Sequence, residues 1–594
     1  MRLALPLILA LTMTASAADK PQIPAGYWPL EESERHLAKT ETIRLDPDLS
    51  SLTADEKSAV DDLLDAGQIF QRLYELSRHH QALAAHEKLL ALDKQLGSPK
   101  RTQNLIQLYR LWQGPIASTL ENARQPFLPV DPQKPARNVY PLDATKEELD
   151  AFLAKNPARR GEILGERTVV RRATRANLDR DLATLAANPG LALLHPELTK
   201  QLKAQSADAK AFYAVPHSVA YAKDLTAAYR KLMSAASKIE PTDAELARYL
   251  RNRGRDLLSN DYESGDASWV TGHFKKLYAQ IGAYETYDDA LYGVKAFHSF
   301  SLMIANEPAT ADLRKKLGGL QAIEDALPYD HKKRIREDIP VGVYHVIDDF
   351  GQARGTNTAT ILPNDALFSR RYGRTIMLRE NIMKHPDIFA SAMRTWRTAT
   401  ADAHGDDLAS EGNFQRTLWH EVGHYLGADR DRQGRTLDVA LEDYADAIEE
   451  MKADLVSLFG IFKMHREGTV SDATLRAVQA SGIARTLQNV KPRPDQPYQT
   501  MQLVQFNWFR DQGLITPDPQ TARLAIDYGK YQTAVDSLLR ETLALQYNGD
   551  KAAAAKFFEQ WTTWTPEVHD KLAARIREAQ GARYRIVRYG ALGE

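Results

Sequence analysis

Apolar residues recur at intervals of three and four between Ser51 and about Arg124: Leu63, Leu64, Ile69, Phe70, Leu73, Leu76, then Leu83, Leu89 and Leu90. That is the period of an amphipathic helix, so this region reads as stacked helices. Gln125 to Pro141, QPFLPVDPQKPARNVYP, breaks the pattern with five prolines and reads as a linker or an extended wrap. TKEE, Thr145 to Glu148, has the spacing of a capping box and opens another helix. Helical periodicity resumes from Leu202 to Leu258 and again near Ile281 to Ile304. Between Ile339 and Glu380 the pattern changes. VGVYHVI (Val341 to Ile347) and TIMLRE (Thr375 to Glu380) read as strands on either side of GQARGTNTATILPND. Helices return from Phe414 to about Gln546, and YRIVRY, Tyr584 to Tyr589, reads as a last strand. No fixed-period repeat is present. The expected fold is mainly α with a smaller β component, an α+β protein containing a small mixed sheet or barrel.

At 594 residues the chain exceeds what a single core supports, so two or more lobes are expected. It opens MRLALPLILALTMTASA, with Arg2, an apolar run from Leu3 to Met13 and a small-residue end at Ala15, Ser16 and Ala17. This pattern predicts a signal peptide cut after Ala17 and a periplasmic or secreted protein. No later stretch is long and apolar enough to predict stable membrane insertion. The 77 Lys and Arg balance 78 Asp and Glu, so no charge pull toward nucleic acid is expected. With no cysteine, disulfides and thiolate ligands are excluded, and a metal must be held by His, Asp or Glu.

HEVGHYLG, His420 to Gly427, carries the chemistry. Residues four apart share a helix face, so His420 and His424 can present ring nitrogens to one ion. Glu421 lies one step round, where a carboxylate can take a proton from a zinc-bound water. A catalytic zinc needs a third protein ligand, and DYADAIEEMKADLVSLFG downstream offers Glu450 and Asp454 at i and i+4. Glu450 can reach the metal. Asp454 can accept the free N–H of a ligand histidine. Of the other histidines, His79, His80 and His86 read as a solvated helix face, His465 lies too far along its helix to join the ion, and His298 and His345 have no partner pattern.

With these residues in view, the chain resembles the dipeptidyl peptidase III family of zinc peptidases, from about Asn138 onward. HEVGHYLG followed by AIEEMKAD is similar to that family's zinc pair, which implies one zinc per chain on His420, His424 and Glu450, with Glu421 as base. IGAYETYDD (Ile281 to Asp289) is similar to a stretch bearing a substrate-anchoring Glu and a Tyr that bonds the scissile carbonyl, implying Glu285 and Tyr287. Without the family, the same stretch reads as an aromatic-rich helix. ILPND implies Asn364 as a contact to the substrate backbone. The chain differs from classical members in its plain HExxH spacing, in Ile361 where they carry a polar residue, and in Tyr498 where they carry a His. Tyr498 could still donate to the transition state.

The resemblance implies two lobes and a cleft: a helical zinc lobe and a lobe containing a small β-barrel or sheet. The expected segments are 1–17 signal peptide, 18–137 helical region and Pro-rich linker, 138–400 lower lobe, 401–565 zinc lobe, and 566–594 returning to the lower lobe. The expected activity is hydrolysis of short peptides near the N-terminus. The alternatives are a zinc hydrolase of a non-peptide amide or ester, and a non-catalytic peptide binder.

Overall fold

The computed structural model describes residues 22–121, 123–335, 340–355, 357–363, 368, 371–492 and 496–594. The leader expected at 1–17 lies outside them. Two compact units are present. One comprises Gln81–Gln133 with the described residues up to Leu37. Its helices Leu30–Leu37, Ala82–Leu96 and Lys100–Trp112 close on Trp28, Leu89, Leu105, Leu108 and Phe127. Phe127 and Leu128 of the proline-rich stretch are fully inside this core, because their neighbours Arg124–Pro126 form a short hairpin with Ile116–Ser118.

The second unit, Ala38–His80 with Lys134–Glu594, is built on a five-stranded sheet. We number its strands β1 (Leu277–Ala283), β2 (His298–Ala305), β3 (Val341–Gly351), β4 (Ala359–Leu362) and β5 (Thr375–Arg379). Their order across the sheet is β1-β2-β3-β5-β4, antiparallel except where β3 meets β5. Side chains alternate between faces along a strand. Val341, Val343, Ile376 and Leu378 accordingly enter one core while Tyr344, Val346 and Met377 enter another. The first of these cores holds the helices of the HExxH region. The second holds helices Ala54–Arg78 and Ala222–Ile239. The sheet is therefore buried on both faces, and its strands read as continuous apolar runs.

That explains a correction. Ile281 to Ile304, expected to be helical, contains β1, a loop and β2. LYAQIGA and HSFSLMIA lie almost wholly inside the protein and show no alternation by which a strand could be recognised. A strand, Asp208–Pro216, likewise interrupts the region from Leu202 to Leu258 expected to be helical. The strands expected at 341–347 and 375–380 are present, and Tyr584–Tyr589 pairs in parallel with Thr40–Leu45. Thr145 caps helix Lys146–Lys155 by accepting the Glu148 N–H.

We label the helices around the HExxH segment α1 (Ser410–Gly423), α2 (Ala445–Arg466), α3 (Asp472–Arg485) and α4 (Pro497–Asp511). Phe414, Leu418, Val422 and Leu426 face Ile448, Met451, Leu455 and Leu458 in a common core. Each such side chain stabilises by roughly 1.5–3 kcal/mol on full burial. Two glycines let these helices close up. A Cβ on Gly412 would stand 2.3 Å from the Ala477 carbonyl oxygen of α3, and one on Gly423 would stand 2.7 Å from that of Ala453 in α2. Both obstacles are backbone, so they cannot rotate away.

Gly423→Ala is therefore expected to destabilise by about 1–3 kcal/mol in equilibrium denaturation, with weakened metal binding. Gly161→Ala, where a Cβ meets open space, is the control and should not destabilise.

Candidate metal centre

α1 presents His420 and ends at His424, its C-cap, which keeps right-handed helical backbone at φ −66° and ψ −21°. Lys452 of α2 fastens this end by donating to the carbonyl oxygens of Gly423 and Leu426, both at 2.8 Å, where a cation suits the helix dipole. The imidazoles lie 5.0 Å apart, centre to centre, at 85°. Glu450 enters from α2: its Oε2 is 3.2 Å from His420 Nε2 and 3.9 Å from His424 Nε2. One donor atom from each of His420, His424 and Glu450 lies within 4.8 Å of the others. Glu450 Oε2 is buried and, among the described residues, has no hydrogen-bond donor. A carboxylate oxygen left that way costs several kcal/mol unless a cation reaches it, so the donor set fits a metal ion.

Each histidine is aimed by its other nitrogen. His420 Nδ1 lies 2.7 Å from Asp454 Oδ1, and His424 Nδ1 lies 2.9 Å from Glu449 Oε1. Asp454 is held in turn by Arg485 Nε at 2.6 Å, Arg416 at 3.3 Å and Gln505 at 3.3 Å. Glu449 is held by Lys452 and by Gln546, both at 2.8 Å. Burial alone would raise both carboxyls, but the opposing charges outweigh it, and both sit far below the ordinary carboxylate range. For His420, burial opposes the charge, yet Asp454, Glu450 and Glu421 raise it to about 9. A metal must displace that proton.

Glu421 lines a cavity of about 330 Å³ together with His420, Arg416, Arg485, Tyr498, Gln502 and Asn357–Ala359. Among the described residues its carboxylate makes no ion pair or hydrogen bond, unlike Glu449, Glu450 and Asp454 around it. The Tyr498 hydroxyl donates to Glu450 Oε1 at 3.0 Å, which leaves Oε2 for the ion. Ala359 heads β4, the outer strand of the sheet, so one backbone edge of β4 faces away from β5.

Glu285 and Tyr287 stand on a different segment, the loop that leaves β1. The helical reading of this segment does not hold, because the chain leaves β1 as a loop and turns at Tyr287 and Asp288. Asp289 accepts the N–H groups of Leu291, Tyr292, Val294 and Lys295 and the Tyr140 hydroxyl. Asp288 accepts from Tyr74 and Gln352. Tyr287 is 71% exposed. Arg379, which also bonds Thr360 of β4, is near enough for its charge to act on the Tyr287 hydroxyl. Asn364 lies outside the described residues.

The other histidines weighed in the sequence make contacts elsewhere in the fold. His79, expected on a solvated face, is buried where helix Ala54–Arg78 ends, and stacks on His80; His86 stacks on Tyr109. His345 pairs with Glu380, His465 with Asp472, and His298 is buried against His217. Sequence reasoning missed Glu449, Arg416, Arg485 and Gln505. Glu449 had a signal: in a plain HExxH site the second histidine also needs an acceptor, and the doublet EE supplies two carboxylates.

The chain aligns with two solved structures along nearly its whole length. DPP III from Caldithrix abyssi gives a TM-score of 0.79 at 23% identity, over 93% of this chain and 98% of that one. Dipeptidyl-peptidase III from Corallococcus sp. strain EGB gives 0.77 at 23% identity, over 96% and 98%. The chain has the dipeptidyl-peptidase III fold. No family model matches it. Among curated proteins, Nudix hydrolase 3 of Arabidopsis thaliana is 27% identical over 440 residues, which is 73% of this chain and 54% of that protein. The chain thus spans about half the length of that relative.

Asp454→Asn should lower zinc affinity about 10- to 100-fold in chelator competition, since it replaces the charged carboxylate that aims His420 with a neutral amide. In the unsubstituted protein, affinity should fall as pH drops below about 9, where a proton on His420 competes with the ion. An affinity flat from pH 6 to 9 would contradict that account of His420.

Proposed function

We propose that the chain is a zinc metallopeptidase that hydrolyses short peptides near their N-terminus. The observation that carries the reading is the donorless Glu450 oxygen, which converges with two aimed histidines in a dipeptidyl-peptidase III fold. His420, His424 and Glu450 would hold the ion. When bound, zinc supplies a Lewis acid that polarises the scissile carbonyl and makes water acidic enough to react.

The chain's own residues do the rest. Glu421, unpaired in the cavity, takes a proton from the attacking water and delivers it to the leaving amine. Tyr498 holds Glu450 through Oε1. The free edge of β4 offers backbone donors and acceptors to an extended peptide, which can add as a further strand. Glu285 pairs with the peptide's α-ammonium and Tyr287 donates to its carbonyl oxygen, from a loop fixed by Asp288 and Asp289. Zinc rather than another divalent ion suits a site of two imidazoles and one carboxylate.

Glu421→Gln should retain zinc while losing about 10²- to 10⁴-fold in turnover. Full activity in that variant would sink the mechanism. Dipeptidyl-arylamides should be cleaved in preference to single-residue arylamides. Turnover of esters or non-peptide amides alone would point to the non-peptide hydrolase, and tight peptide binding without turnover by the zinc-loaded protein to a binding relative.

We also propose that the protein is exported, on the strength of the pattern from Met1 to Ala17. N-terminal sequencing of protein from the periplasm or medium should begin at Ala18. A cytoplasmic product starting at Met1 would overturn this.

A further inference from the structure

Arg485 closes α3 and lines the same cavity as Glu421 and Tyr498. Its Nε donates to Asp454 at 2.6 Å, and among the described residues its two terminal nitrogens have no partner. They are not sealed in, since the side chain is 22% exposed. The neighbouring Arg416 is different: its three nitrogens are taken by Ser481, Asp454 and Thr417. Asp454 alone thus faces two guanidiniums, and the charge left over sits on the free edge of Arg485. That edge is near enough to Glu450 for its charge to act on it.

We propose that Arg485 is a specificity-determining residue that receives a carboxylate of a short peptide, on the residues that follow the scissile bond. The proposal rests on the peptidase reading above. Two parallel N–H donors match the two oxygens of a carboxylate in one plane, and the charge assistance makes that pair strong. The same guanidinium repels an α-ammonium, so the peptide's N-terminal end does not bind there. A carboxylate can come only from the free C-terminus or from an acidic side chain. In a cavity of about 330 Å³ a peptide of a few residues brings its own C-terminus close to the reacting bond. The substrate class is therefore short peptides with a free terminal carboxylate, rather than internal segments of long chains.

The test uses binding, so that it stands apart from turnover. Zinc-loaded Glu421→Gln protein is titrated by calorimetry with tetra-alanine, with its C-terminal amide, and with an amide carrying Glu as the last residue. The free acid should bind about tenfold or more tightly than the plain amide, as a hydrogen-bonded charge pair implies. Adding Arg485→Gln should abolish that preference, so that the free acid weakens more than the plain amide and the two bind alike. Arg485→Lys, which keeps the charge without the fork, should retain part of the preference and serves where the Gln variant fails to fold. The Glu-bearing amide separates the two sources of a carboxylate, according to whether it matches or trails the free acid. Equal binding of acid and amide with Arg485 intact would overturn the proposal. So would an equal loss for both ligands in Arg485→Gln, since Arg485 would then act only by holding Asp454. Absence of turnover with the acid preference intact would instead count against the peptidase reading alone.

Discussion

A carboxylate buried beside a metal site has to be neutralised by its neighbours, and here that constraint falls on Asp454. It is 2% exposed and is met by His420, Arg416, Arg485 and Gln505. Removing one partner from such a cluster costs about 3–5 kcal/mol, because the remaining charge is stranded. The partners come from three helices, α1, α3 and α4, and Asp454 itself from α2, so the charge balance holds only if all four are docked. The glycines at 412 and 423 permit the docking distance, and the apolar faces of α1 and α2 supply the driving force. Packing and electrostatics therefore specify the same arrangement, which sets the donor atoms of His420, His424 and Glu450 toward one another.

The zinc-type motif was legible because its ligands obey helical spacing. His420 with His424, and Glu450 with Asp454, are pairs four apart, and each pair lies on a helix whose apolar residues share the same period. The strands at 341–351 and 375–379 were legible from their β-branched and aliphatic runs between turn residues. β1 and β2 were not, because both faces of those strands are buried and the alternation that separates strand from helix is absent. The partners of Asp454 were invisible for another reason. Arg416, Arg485 and Gln505 are polar residues on amphipathic helices, and only the docking of those helices turns them inward. Glu285 and Tyr287 came from family likeness, and no pattern in IGAYETYDD revealed the two aspartates that pin the loop.

The sheet explains how segments far apart in sequence are set against one rigid frame. Because each face feeds a separate core, neither side can shift without opening the other. Arg379 crosses this frame, bonding Thr360 of the outer strand and Gln280 and Ser301 of β1 and β2. Strands β1, β2 and β4 are thereby tied to one buried guanidinium, which keeps their spacing fixed.

Among the described residues, three of the acidic groups around the candidate site are engaged, and Glu421 is not. Asp454 and Glu449 are held by arginine or lysine and by histidine, and Glu450 Oε1 by Tyr498. A carboxylate so engaged is a poor base, because its lone pairs are already stabilised. Among the described residues Glu421 alone of these four lacks a partner, which suits the base proposed above, since a base must keep its lone pair for the proton it takes. On the function proposed above, the difference between base and ligand among these acids therefore lies in their partners rather than in their chemistry. It also explains why a tyrosine suits position 498: a hydroxyl can fix one oxygen of Glu450 without adding a second positive charge to compete with the ion.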